Sequence, residues 1–161
     1  MTYLPTLLTT ADFGQALLLR RKCANVEPGE YLTIFHTLEQ AVADLRARGE
    51  NAFGLSAPQL GLTKRAFLMK PRQAGYWVCF INPWIARMKG TEKREESCFS
   101  IPGKFFVVER PTTVVARGSN QYGHRLDFTF TNLDARGFCH EMDHLDGRLI
   151  DQVGKELGDL S

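Results

Sequence analysis

His140 and His144 lie four residues apart in the run His140-Glu141-Met142-Asp143-His144. On a helix that spacing projects both imidazoles from one face, where they can grip a single metal ion. Glu141 then lies close enough to reach a water on that metal without being a ligand. The chemistry implied is metal-dependent hydrolysis. A third ligand is needed, and the usual downstream sources are missing: only Asp146, Asp151, Glu156 and Asp159 follow, with no later histidine. The third ligand must therefore come from upstream. The candidates are His36, His124, Cys23, Cys79, Cys98 and Cys139.

The elements that must position these groups are legible in part. From Gly29 to Arg48, apolar Leu32, Phe35, Leu38, Val42 and Leu45 recur at three or four residues, which predicts an amphipathic helix ending at Gly49. Short runs rich in β-branched and aromatic residues predict strands over 65–70, 76–81, 105–109, 113–117 and 125–130. Asn82-Pro83, Pro102-Gly103, Pro111 and Gly118 punctuate them. The metal-gripping helix starts at Thr131 or Asn132, either a suitable N-cap, and stops at Gly147. Leu133, Gly137, His140 and His144 share one face of it. Gly137 costs about 1 kcal/mol relative to alanine within a helix, so its presence there predicts close approach by a chain segment or ligand. Helices and strands that do not alternate as βαβ units predict an α+β fold of short, mostly antiparallel sheets around the metal helix.

The chain has 161 residues, 43% of them hydrophobic, which suits one domain over 1–161 with a substantial core. Its net charge of +2, with acids and bases interspersed, argues against a nucleic-acid or membrane partner. No apolar run is long enough to span a bilayer and no signal peptide is visible, so a cytoplasmic protein is expected. Four unevenly spaced cysteines fit reduced thiols. Nothing in the sequence demands more than a monomer.

Three separated segments together resemble the peptide deformylase family. They are Ala52-Phe53-Gly54-Leu55-Ser56-Ala57-Pro58-Gln59, then Glu96-Ser97-Cys98-Phe99-Ser100, then Cys139-His140-Glu141-Met142-Asp143-His144-Leu145-Asp146-Gly147. The resemblance spans about residues 30–150. It implies Cys98 as the third ligand beside His140 and His144, holding one divalent metal: Fe2+ in the family, with Zn2+, Ni2+ or Co2+ fitting the same donors. It implies removal of the formyl group from N-formylmethionine on nascent peptides, with release of formate. Glu141 would be the proton acceptor, and the Gln59 amide and Phe99 N–H would donate to the formyl oxygen. Backbone at Phe53, Gly54 and Ser97 would pair with the peptide as an added strand. Phe53, Leu133 and Gly137 would wall a methionine pocket, and Glu96 would pair with Arg110.

Three residues depart from the family pattern: Ala52 and Ser97 stand where glycines are usual, and Cys139 replaces a glutamine. The competing reading is a relative that binds metal or formyl peptide without useful turnover, supported only by Ser97 and Cys139. A peptidase is disfavoured by the absent downstream ligand. Fourteen residues follow Gly147, fewer than in many bacterial relatives, so weakened ribosome attachment is expected. Short forms also occur in viral members of the family, so the bacterial cytosol is the expected setting and a virus-encoded protein is compatible with it but not inferred.

Overall fold

The structure, a computed structural model, describes residues 6–158. Among the described residues there are four α-helices: α1 (Phe13–Leu19), α2 (Tyr31–Ala47), α3 (Asn132–Leu145) and α4 (Ile150–Val153). Eight strands accompany them: β1 (Gly54–Ser56), β2 (Ala66–Met69), β3 (Val78–Lys89), β4 (Glu92–Cys98), β5 (Ile101–Arg110), β6 (Thr113–Ser119), β7 (Arg125–Thr131) and β8 (Gly154–Glu156). They form two antiparallel sheets, one ordered β1-β2-β3-β6-β7 and the other β4-β5-β8.

Strand β2 shows why the first sheet lies between two helices. All four of its residues are buried, so both of its faces need cover. Ala66 and Leu68 meet α2 through Ile34, Leu38, Ala41, Val42 and Leu45. Phe67 and Met69 point the other way, into a cluster with Phe80, Phe130 and Phe138 of α3. Phe67 and Phe80 are register partners, with ring centroids 5.2 Å apart, and Phe138 meets them edge-on at 5.4 and 5.1 Å. A third cluster, of Leu19, Cys98, Ile101, Phe106, Val108, Leu149 and Ile150, sits under the second sheet.

The α+β class stands, and several expected boundaries move. The buried stripe of α2 is Ile34, Leu38, Ala41, Val42 and Leu45, whereas Leu32, expected on it, is 48% exposed. Gly49 ends the helix as expected, with φ of +82°. Asn82-Pro83 does not end a strand. It forms a bulge inside β3, where Asn82 adopts φ of +49° and its side chain closes two hydrogen bonds on the Val26 backbone, at 2.8 and 3.0 Å. Pro102-Gly103 likewise lies inside β5, the turn falling at Phe99-Ser100 instead. Strand β4 and helix α1 have no counterpart in the expected elements. Beyond Gly147 the chain builds α4 and β8, and β8 pairs with β5.

Thr131 is the N-cap of α3, but without a side-chain cap bond, and Asn132 takes φ of +52°. Asp134 in the first turn accepts instead from the backbone N–H groups of Arg72 and Gln73, at 2.8 and 2.9 Å. That ties the helix start to the loop before β3. No helix among the described residues is long and apolar enough to cross a membrane.

Candidate active site

Helix α3 delivers His140, Glu141 and His144, and the end of β4 delivers Cys98. The ligating atoms of Cys98, His140 and His144 lie within 4.8 Å of one another, the one such trio among the described residues. Cys98 Sγ is 3.4 Å from His144 Nε2. The other upstream candidates lie elsewhere. His36 is exposed on α2 beside Glu39, and His124 is exposed in the turn between β6 and β7. Cys23, Cys79 and Cys139 are buried free thiols outside the trio.

The local electrostatics favour a metal-ready state. Burial opposes ionisation of the Cys98 thiol, but the neighbouring His144 and His140 imidazoles hold its pKa well below the ordinary thiol value. His140 Nδ1 lies 3.1 Å from Glu96 Oε2. As an N–H donor there, it leaves Nε2 free to face the trio. One thiolate and two imidazoles, closely grouped, with Cys98 and His144 buried and His140 half-buried at the cleft, are a donor set that fits a divalent metal with a position left for substrate or water.

Glu141 is 5% exposed, and its Oε2 has no hydrogen-bond partner among the described residues. Burial raises its pKa, with only partial offset from His140 and His144. An unengaged carboxylate of raised basicity beside a metal-ready trio is suited to accept a proton. Gly54 explains how Glu141 fits: a Cβ built on Gly54 would stand 2.6 Å from Glu141 Oε1 and 3.2 Å from the Leu68 carbonyl oxygen. Only glycine lets β1 come this close.

Gln59 follows β1 on a single 3₁₀ turn, Ala57–Leu60, and is fully enclosed. Its Oε1 accepts from the Ser56 N–H at 3.1 Å and from the Ser56 hydroxyl at 3.0 Å. Those bonds fix the orientation of the amide and turn Nε2 inward. Nε2 then donates to Ser100 Oγ at 3.2 Å and lies 3.8 Å from Cys98 Sγ. Ser56 and Ser100 were not singled out from the sequence, although the Ser56-x-x-Gln59 spacing is that of a capping box.

A cleft of about 670 Å³ opens over these groups. Phe53, Gly54, Ser97, Phe99, Leu133 and Gly137 all line it, together with Gln59, Cys98, His140 and Glu141. A Cβ on Gly137 would collide with the Phe53 ring, so the close approach predicted at that helical glycine is made by Phe53. Arg110 grips Glu96 through two bonds of 3.0 Å, the expected pair, and also meets Asp143. Asp143 completes a second pair with Arg148 at 3.1 Å and lies outside the trio. Burial would raise the Glu96 carboxyl, but His140 and Arg110 hold it well below the usual carboxylate range. Arg136, absent from the sequence-derived set, also reaches Glu96.

The departures from the family pattern are mild in structure. Ala52 is buried and is not among the residues with positive φ, so its methyl brings no backbone strain. Ser97 is exposed at the cleft edge. Cys139 packs into the aromatic cluster, and burial there pushes its thiol up to about 11.

The fold and the donor set together define a metal-dependent hydrolase. Comparison with known proteins gives the family. The polypeptide deformylase family model matches residues 10–157, and the chain belongs to that family. It is 36% identical over 142 residues to the peptide deformylase of Clostridium botulinum, an alignment covering 86% of this chain and 92% of that one. Among solved structures, the Thermotoga maritima peptide deformylase superposes with a TM-score of 0.79 at 30% identity, covering 94% of this chain and 98% of that one. The Synechococcus elongatus enzyme, solved with actinonin, gives 0.78 at 29% identity, covering 95% and 81%. Membership makes the protein a deformylase.

Proposed function

We propose that this cleft removes the formyl group from N-formylmethionine at the start of nascent peptides, releasing formate and a free amine. Cys98, His140 and His144 hold one divalent metal, for which we propose Fe2+, with Zn2+, Ni2+ and Co2+ suited to the same donors. When bound, the metal supplies a Lewis acid that polarises the formyl carbonyl and makes hydroxide available near neutral pH. The observation that carries this reading is the Glu141 carboxylate, buried beside the trio with Oε2 unengaged.

Glu141 takes the proton of the attacking water. As the C–N bond breaks, it returns that proton to the departing nitrogen, so the products are formate and the peptide amine. The inward Gln59 Nε2–H and the Phe99 backbone N–H donate to the formyl oxygen as it gains negative charge. Removing such a donor typically costs roughly 10²–10³ in rate. Backbone at Phe53, Gly54 and Ser97 pairs with the peptide as an added strand, and Phe53, Leu133 and Gly137 receive the methionine side chain. That the Synechococcus elongatus relative was solved in complex with actinonin supports ligand binding by this fold. Four free thiols support a reducing, cytoplasmic setting, where we propose the protein acts as a monomer.

The test is formate release from formyl-Met-Ala-Ser by the Fe(II)- or Ni(II)-loaded protein beside Glu141→Ala. The variant should lose activity by at least 10²-fold while keeping its metal and its melting temperature. Equal rates for the two proteins would refute the reading.

A further inference from the structure

Arg136 stands one helical turn before His140 on α3 and is 6% exposed, although it lines the cleft. A buried arginine on the wall of an apolar pocket is costly unless its donors are matched. Here they are matched closely. Nη1 donates to Glu96 Oε1 at 2.8 Å and to the Val108 carbonyl oxygen at 2.9 Å, and Nη2 donates to the Glu92 carbonyl oxygen at 2.6 Å. One planar fork therefore spans two backbone carbonyls of β4 and β5 and one carboxylate.

That carboxylate is the one facing His140. Glu96 Oε2 meets His140 Nδ1 at 3.1 Å, while Arg110 engages both carboxylate oxygens. With Arg110 alone, the Glu96 carboxylate would be set by a partner that also answers to Asp143. Arg136 adds a fixed anchor tied to main chain.

We infer that Arg136 is a positioning residue for the metal centre: it locks Glu96, and through Glu96 the ring orientation and Nδ1–H tautomer of His140. This rests on the reading of Cys98, His140 and His144 as metal ligands. Three of its five N–H donors are held by Glu96 and by the carbonyls of Val108 and Glu92, so the contacts it makes toward the metal trio run through Glu96. Lysine cannot replace it, because a single ammonium cannot reproduce the planar fork across three acceptors.

The test compares wild type with Arg136→Leu and Arg136→Lys. Three quantities are read: Co(II) affinity by chelator competition, kcat and KM separately, and melting temperature. Loss of a group that orients a ligand typically weakens metal affinity or activity about 10–100-fold. Both variants should show Co(II) affinity weakened by about tenfold or more and kcat reduced with KM within about twofold. In metal-free wild type, nitrogen-15 spectra should show His140 protonated at Nδ1 and separate, slowly exchanging Arg136 Nη protons. Variants that bind Co(II) and turn over like wild type, whatever their melting temperature, overturn the inference. If neither variant folds, freely averaged Arg136 Nη resonances in wild type overturn it, and separate ones uphold it. A wild type that neither binds Co(II) nor releases formate sinks the functional reading itself, whereas a competent wild type with indifferent variants sinks this inference alone.

Discussion

Glycine at position 54 does at residue scale what no side chain can. It brings β1 against the Glu141 carboxyl, where a methyl group would stand 2.6 Å from Oε1 and 3.2 Å from the Leu68 carbonyl oxygen. Gly54→Ala is therefore expected to push Glu141 off its position and to cut kcat by about 10²-fold, within the range for losing a general base. Metal content should hold, because no ligand moves. Parallel metal analysis and formate-release kinetics check this, and an alanine variant with wild-type kcat would refute the steric account. The family motif marked Gly54 in sequence; the reason for the glycine needed the Glu141 contact. Gln59 is similar: its residue type was legible, but the direction of its amide depends on Ser56 and Ser100.

At the scale of elements, β3 carries a buried thiol whose ionisation the fold opposes. Burial pushes Cys79 up to about 12 from an ordinary 9.0, and Cys79 is 2% exposed. The folded chain thus keeps a proton that the unfolded chain releases above pH 9. This contribution to stability is whole below pH 9 and is lost as pH rises toward 12, at up to about 1.4 kcal/mol per pH unit. Urea midpoints at pH 8 and pH 10.5 should fall less steeply for Cys79→Ala than for wild type; equal slopes would contradict the linkage. Element boundaries were the least legible part of the sequence. Proline and asparagine at 82–83 signal a break in general, yet the antiparallel partner β6 converts that break into a bulge. Charged β4 has no apolar alternation to reveal it, and it is a strand because β5 pairs with it.

Across the whole molecule, the trio forms where three apolar clusters meet. Cys98 belongs to the cluster under the second sheet, Cys139 and Met142 of α3 to the aromatic cluster, and Ala57 and Leu60 beside Gln59 to the cluster under α2. Loosening any one of them should loosen the site. Leu149 is 1% exposed in the cluster that contains Cys98. Leu149→Ala is expected to cost about 2–5 kcal/mol in stability and to weaken metal retention through the packing it shares with Cys98. Calorimetry together with chelator-induced metal loss checks the pair of effects. Destabilisation with unchanged metal loss would show that the clusters act independently.

The sequence by itself determined which residue types carry the chemistry, because four-residue spacing on a helix is a local property and three ordered motifs identify a family. It left Cys98 as one of six upstream candidates on residue chemistry alone, since sulfur and imidazole meet only when β4 docks against α3. It placed Ser56 and Ser100 in the motifs without giving either a contact, and it was silent on Arg136. The contacts of Ser100 and Arg136 span 41 and 44 residues and exist only once the sheets and α3 have packed, whereas the Ser56–Gln59 contact spans three and gains its meaning only from what Gln59 then faces.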